Sequence, residues 1–119
     1  MRPTRLFPKP DPALLVLTSL AGGPRHGYAL MKDIEEFSHV TLGPGTVFGC
    51  LARLEERGLV RALDPEDRRH PYELTATGLA VLNEQLEELS RVTATSMARL
   101  RRTGGGTPAR LPAGGGLDV

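Results

Sequence analysis

A mainly α fold with a small β-hairpin and one long terminal helix is what this chain of 119 residues predicts. Three observations carry the expectation. Aromatic residues are scarce, with no Trp, three Phe and two Tyr, so the core must be built from Leu, Val, Ile and Ala, which favours helix packing. In three stretches apolar residues recur at spacings of three and four, the period of a helix with one buried face. Between the second and third of these stretches, two short β-compatible runs flank the sequence DPEDRR, the pattern of a hairpin. A body of this length fits one domain that buries roughly two thirds of its unfolded surface.

Residues 1–10, MRPTRLFPKP, combine three Pro with three positive charges. So little apolar area does not offset the entropy of ordering such a segment, and it is expected to form a loose arm. A folded region over residues 11–74 follows. Asp11 can cap a helix that Pro12 opens, and ALLVLTSLA continues it until Gly22, Gly23 and Pro24 stop it. Its apolar residues lie nearly all round, which predicts the most buried helix of the fold. A second helix is expected from about His26 to Phe37, with Leu30, Ile34 and Phe37 in the core and Lys32, Asp33, Glu35 and Glu36 in water.

After a short connection from Ser38 to Leu42, the stretch GPGTVFGCLARLEERGLV reads as a third helix. Pro44 suits its first turn, and Gly58 suits the left-handed position that ends one. Val47, Leu51 and Leu54 form its core stripe. The opposite side carries Thr46, Gly49, Arg53 and Arg57, a small and cationic face. With Gly43 ahead of it and Gly49 inside it, this helix is intrinsically marginal, an interior Gly costing about 1 kcal/mol relative to Ala. Its first turn is therefore expected to be the most mobile part of the folded core.

Leu59 to Leu63 and His70 to Leu74 are the expected strands, which makes the arrangement a winged helix-turn-helix. Pro71 cannot donate to a ladder, so it marks an edge. Thr75 can cap a last helix over residues 75–102. Leu79, Leu82, Leu86 and Leu89 form a seam on it that weakens at Thr93 and Ser96 and resumes at Leu100. A second copy of the chain would cover those leucines, which predicts a homodimer; folding back on its own domain is the alternative. The Gly- and Pro-rich residues 103–119 are expected to be disordered.

Net charge is only +1, so no global field drives the chain onto nucleic acid or an anionic membrane, and any such binding must come from local clustering. Thirteen of the fifteen basic residues are Arg, which suits bidentate phosphate or base-edge contacts, although genomic base composition gives the same bias. The single cysteine, Cys50, forms no internal disulfide and reads as a buried small hydrophobe rather than a redox sensor. His26, His39 and His70 lack metal-ligand spacing, so no metal or other cofactor is expected. The basic residues before the apolar run at Ala13 to Leu20 superficially suggest a secretion signal. Asp11 and Pro12 interrupt it, no cleavage pattern follows, and the run is too short to cross a bilayer, so the expected location is the cytoplasm. No carboxylate pair, nucleophile set or lysine-bearing phosphate loop can be assembled, which argues against an enzyme.

Two surfaces attract attention as binding sites. Thr46, Gly49 and Arg53 could enter a DNA major groove, or line an ordinary solvated helix face. Arg68, Arg69 and His70, on the returning side of the turn, could face phosphates or pair with the turn's own Asp64, Glu66 and Asp67. Tyr28, at the start of the second helix, could either pack or hold a phosphate.

With these elements in hand the sequence resembles the PadR family of bacterial transcriptional regulators, specifically its smaller subfamily with a single C-terminal helix. The blocks LAGGPRHGYALMKDIEE, GPGTVFGCLARLEERGLV, the basic hairpin, PYELTATG and the leucine helix match in order, over about Ala13 to Arg102. The resemblance implies a winged helix-turn-helix that dimerises through its C-terminal helix and binds a near-palindromic operator in double-stranded DNA, usually as a repressor. It leaves room for a small-molecule effector of unidentified chemistry. Gly43 stands where the family often has Ser, and Phe48 where Tyr is common, so that Phe48 would pack or touch a thymine methyl rather than reach a phosphate. The chain has no Trp, the residue with which some members hold flat aromatic drugs between the dimer's helices. A winged module that binds protein rather than DNA is the reading that near-neutral charge favours.

Overall fold

The computed structural model describes residues 6–103; residues 1–5 of the expected arm and 104–119 of the expected tail lie outside them. Four helices and a two-stranded antiparallel hairpin follow in the order α1 (Pro12–Leu20), α2 (Gly27–Ser38), α3 (Pro44–Glu56), β1 (Val60–Ala62), β2 (Tyr72–Leu74) and α4 (Ala76–Arg102). The described residues up to Asn83 form one compact unit, and those from Glu84 on form a second, the remainder of α4 with Thr103.

The carboxylate of Asp11 accepts the Ala13 N–H at 2.8 Å and starts α1. Leu15, Val16, Leu17 and Leu20 are all buried, as a helix apolar nearly all round requires. Ser19 is buried among them and donates to Asp33 of α2 at 2.6 Å, while the Arg25 guanidinium donates to the Ser19 carbonyl at 3.1 Å. Asp33 is thus half-buried and partnered, correcting its expected place in water. A buried hydroxyl needs an acceptor, and Asp33 is the side chain of α2 that faces α1.

Phe37 is a second correction, because it is 44% exposed. The core line of α2 passes through Gly27, Leu30 and Ile34 and continues at Ser38, one full turn on, not at Phe37. The Ser38 hydroxyl donates back to the Ile34 carbonyl and accepts the Val40 N–H. His39 then takes the left-handed conformation (φ 60°) and turns the chain inward. Val40 and Leu42, in what looked like a plain connection, fill the core instead.

The α3 stripe of Val47, Leu51 and Leu54 is buried as its spacing predicts, with Cys50 beside it. Gly58 (φ 76°) turns the chain from α3 into the hairpin. The register pairs Val60 with Leu74, Arg61 with Glu73 and Ala62 with Tyr72. Towards the turn both strands stop short of the runs that suggested them, and Pro71 is the reason. Leu63 donates to the Pro71 carbonyl at 2.8 Å, but proline has no N–H to return, and the ladder stops. On its other edge β2 takes a short third partner, because Arg25 and Tyr72 exchange both backbone hydrogen bonds.

The Thr75 hydroxyl accepts the Gly78 N–H at 3.0 Å and donates to the Gly58 carbonyl at 2.6 Å, capping α4 and tying it to the end of α3. Leu82, two turns in, is only 3% exposed and sits in the core of its own chain. It is therefore a fold residue rather than part of the open seam. Leu79 in the first unit, and Leu86, Leu89 and Leu100 in the second, are all exposed. Met97, which the sequence reading passed over, is exposed too and lies on the same helical stripe.

Candidate nucleic-acid interface

The outward side of α3 is smoother than its sequence suggested. At helical spacing Gly45, Gly49 and Ala52 run along the line opposite the core stripe, flanked by Thr46 and Arg53 on one side and Phe48 on the other. A methyl group added at Gly45 would meet nothing within 4 Å, and at Gly49 only the Arg53 guanidinium at 3.6 Å. Neither glycine is needed by the packing of its own chain. Two glycines in a helix that has room for alanine raise the free energy of the fold by about 1 kcal/mol each without any internal return.

Phe48 does have an internal reason. Its ring lies against the backbone of Gly27, where a methyl group would overlap it, and meets Tyr28 edge-on with ring centroids 5.6 Å apart at 66°. Phe48 thus packs within its own chain, while part of its ring stays exposed. The pair joins α3 to the first turn of α2, so Tyr28 is fixed at its base while most of its ring stays exposed.

Beside that pair the wing closes a cleft of about 240 Å³. Tyr28, Phe48, Arg68, Arg69 and His70 all line it, together with His26 and Tyr72. The fold therefore brings five of the sequence-chosen residues into one hollow. Thr46, Gly49 and Arg53 do not line it. Arg53 instead borders a second hollow with Arg57, Cys50 and the Asp11 end of α1. Burial pushes the Cys50 thiol up from its ordinary value, against the pull of nearby Arg53, so it stays protonated at neutral pH.

The tip of the wing is tighter than a solvated turn. Glu66 and Arg69 exchange backbone hydrogen bonds, and between them Asp67 (φ 50°) and Arg68 (φ 67°) both occupy the left-handed region, the signature of a type I′ turn. Asp tolerates that conformation, whereas Arg does so at a cost. The turn projects Arg68 and Arg69 back towards the start of α2.

Two histidines in the cleft are oriented by backbone groups, and in opposite senses. His70 Nδ1 lies 3.2 Å from the Leu63 carbonyl, the group that Pro71 leaves without a ladder partner. A carbonyl only accepts, so this contact is a hydrogen bond in the tautomer with the proton on Nδ1. His26 is the N-cap of α2, and its Nδ1 accepts the Ala29 N–H at 3.3 Å. The sequence does not mark His26 as a cap, because histidine is not an ordinary cap residue. Among the described residues no group of His, Cys, Asp and Glu could hold a metal ion, and no helix is long and apolar enough to cross a membrane.

The Transcriptional regulator PadR-like family matches residues 16–84 of the chain. A protein of transposon TN4556 from Streptomyces fradiae is 44% identical over 82 residues, covering 69% of this chain and 24% of that protein. The transcriptional regulator YqjI of Escherichia coli is 29% identical over 93 residues, covering 76% of this chain and 45% of that one. The chain thus spans less than half the length of either relative. Among solved structures, a PadR family transcription regulator from Clostridium difficile R20291 superposes with a TM-score of 0.66 at 23% identity, covering 75% of this chain and 97% of that chain. That last likeness is one of fold.

Proposed function

The chain belongs to the PadR-like family of transcriptional regulators, and we propose that it acts as a cytoplasmic homodimeric repressor that reads a near-palindromic operator in double-stranded DNA. The observation that carries this reading is the cleft in which the wing, the start of α2 and the Phe48 side of α3 meet, lined by Arg68, Arg69 and His26 with two tyrosines. Cationic and hydroxyl-bearing groups gathered beside a helix with a smooth outer line suit a sugar-phosphate backbone next to a groove. In this reading residues 11–74 carry the DNA-binding elements and residues 75–102 the dimer helix, with the flanking segments 1–10 and 103–119 outside both.

Thr46, Gly49 and Arg53 enter the major groove, and Tyr28, Arg68 and Arg69 hold the backbone, with His70 lining the same cleft and Phe48 beside them packed as described. Arg53 is the residue assigned to a guanine edge, a pairing that supplies about 1–3 kcal/mol of discrimination. Arg53→Ala should therefore flatten base preference at one position of each half-site, while Arg69→Ala should weaken all sequences alike and reduce the salt slope by about one. Fluorescence titration of specific and random duplexes over a range of salt separates the two; equal losses on both duplexes from both variants would reject the assignments.

The glycines of α3 give a sharper test, because they set stability against binding. Gly49→Ala should raise the thermal midpoint by several degrees, since a helical Gly is worth about 1 kcal/mol less than Ala and the site has room. The same methyl should lower operator affinity by at least tenfold by holding α3 off the bases. A variant that is stabilised and still binds like the wild type would show that no close approach occurs there.

The dimer is supported by the exposed stripe of Leu79, Leu86, Leu89, Met97 and Leu100, Leu82 having joined the core. Charge agrees, because Glu84, Glu87 and Glu88 precede Arg99, Arg101 and Arg102 along α4. An antiparallel pair sets opposite charges side by side, and a parallel pair sets like charges together. A small-molecule effector would act on this assembly. A winged module that binds protein instead is the second reading, favoured by the net charge of +1. Selecting duplexes from a random library decides between them: an inverted repeat supports the dimeric reader, and no retained DNA at low salt moves the function to protein binding.

A further inference from the structure

Resting on the DNA reading of the cleft, we infer that His26 is a phosphate-binding residue, held by its own helix cap in the one neutral tautomer that presents a second proton to a phosphodiester oxygen shared with Arg69. His26 Nδ1 accepts the Ala29 N–H at 3.3 Å, and on the other side of the ring Nε2 lies 3.3 Å from Arg69 Nη1. Both contacts cannot be hydrogen bonds of a neutral imidazole. An arginine only donates, so for Nε2 to accept from it the proton must sit on Nδ1, where it would oppose the Ala29 N–H.

Which contact yields is a question of alternatives. The Ala29 N–H is part-buried at the third position of α2, where no backbone acceptor reaches it, and leaving it unmade costs about 1 kcal/mol or more. The Arg69 end is exposed and can turn into water. The cap therefore keeps Nδ1 unprotonated and puts the proton on Nε2. Two donors then point into the same space within 3.3 Å of each other, which is repulsive in the free protein and becomes favourable when one acceptor oxygen sits between them. The exposed Tyr28 borders the same hollow.

His70 makes the contrast that defines the role. With its proton on Nδ1 towards the Leu63 carbonyl, the neutral ring offers only a lone pair on Nε2, and that repels a phosphate oxygen. The two imidazoles of one cleft are thus not equivalent: His26 donates to an anion when neutral, and His70 does not. The match to a phosphodiester rather than a base rests on placement: the two donors sit between the wing and the start of α2, off the outer line of α3 that is assigned to the groove.

Substitution separates cap from donor. His26→Ser keeps a hydroxyl oxygen for the Ala29 N–H but removes the distal donor. It should hold the thermal midpoint within a few degrees of wild type and weaken binding to a duplex selected by the wild-type protein about five- to tenfold. His26→Gln can place an amide N–H near the Nε2 position but cannot cap; it should lower the midpoint and retain binding better than Ser at temperatures where both are folded. Long-range proton–nitrogen correlation spectra of the free protein should show Nε2 protonated and Nδ1 bare for His26, and the reverse for His70. If the selected duplex binds with a steep salt dependence while His26→Ser binds within twofold of wild type, or if His26 carries its proton on Nδ1, the inference falls and the DNA reading stands. If no duplex binds at low salt, the DNA reading falls, and inorganic phosphate then judges the corner by itself: a shift of the His26 Nε2 signal at millimolar phosphate supports the anion site, and no shift overturns it.

Discussion

A chain with Leu86→Glu and Leu89→Glu together is expected to sediment as a folded monomer and to lose at least a hundredfold in affinity for a two-half-site operator. Both leucines are about half exposed and lie beyond the compact unit that ends at residue 83. Their replacement removes nothing from the core of Leu30, Ile34 and Leu51, so the first unit should keep its thermal midpoint. Completing the burial of a half-exposed leucine contributes about 1 kcal/mol. Five residues from each of two copies then give about 10 kcal/mol, within the range of roughly 4–15 kcal/mol that association costs. The margin is narrow, and four carboxylates in the interface exceed it. Losing the second half-site removes an intramolecular binding event worth about 10²–10⁴ in avidity. Sedimentation equilibrium reads the first effect and duplex titration the second; an undisturbed dimer would place the self-association surface elsewhere.

Gly78→Ala is expected to destabilise the first unit by about 2 kcal/mol and to lower its thermal midpoint by about 10 °C. At most helical positions the exchange stabilises by about 1 kcal/mol. Here the added methyl would overlap the Leu59 backbone carbonyl, which itself accepts the Thr75 N–H at 3.1 Å. A flexible side chain could move aside, but this oxygen is pinned between the end of α3 and the first turn of α4. Calorimetry on Gly78→Ala and Gly49→Ala should thus give shifts of opposite sign. A stabilised Gly78→Ala would mean that the α4 cap is looser than its hydrogen bonds indicate.

Much of the fold was legible because it rests on local chemistry. Asp11 and Pro12 start α1, Gly58 turns the chain at the end of α3, Thr75 caps α4, and each does so through neighbours within a few residues. The misreadings concern partners distant in sequence. Phe37 and Ser38 differ by a single helical position, and the choice between them was made by Val40 and Leu42, which enter the core only because His39 reverses the chain. Asp33 left the solvent for Ser19, fourteen residues earlier. Leu82 has the spacing of its neighbours on the α4 seam, and nothing in that spacing says that the first unit has already taken it. In the candidate interface the residue types were readable and their grouping was not. Arg68, Arg69, His70 and Tyr28 converge because the wing pairs with Arg25, and the two contacts that bear on the His26 tautomer come from Ala29, three residues away, and from Arg69, 43 residues away.

The backbone exchange between Arg25 and Tyr72 also sets the mechanical compliance of the reading surface. The residue that leads into α2 is laced to β2 by two hydrogen bonds, and β2 is laced to β1. The Arg25 side chain is anchored in turn to Ser19 and Asp33. A wing of this construction does not swing as a free flap; it deflects only together with the start of α2. In the DNA reading proposed above, strain imposed by an ill-fitting half-site would fall on the duplex rather than on the wing. Sequences rich in easily kinked pyrimidine–purine steps near the wing should consequently be preferred at positions that no side chain touches.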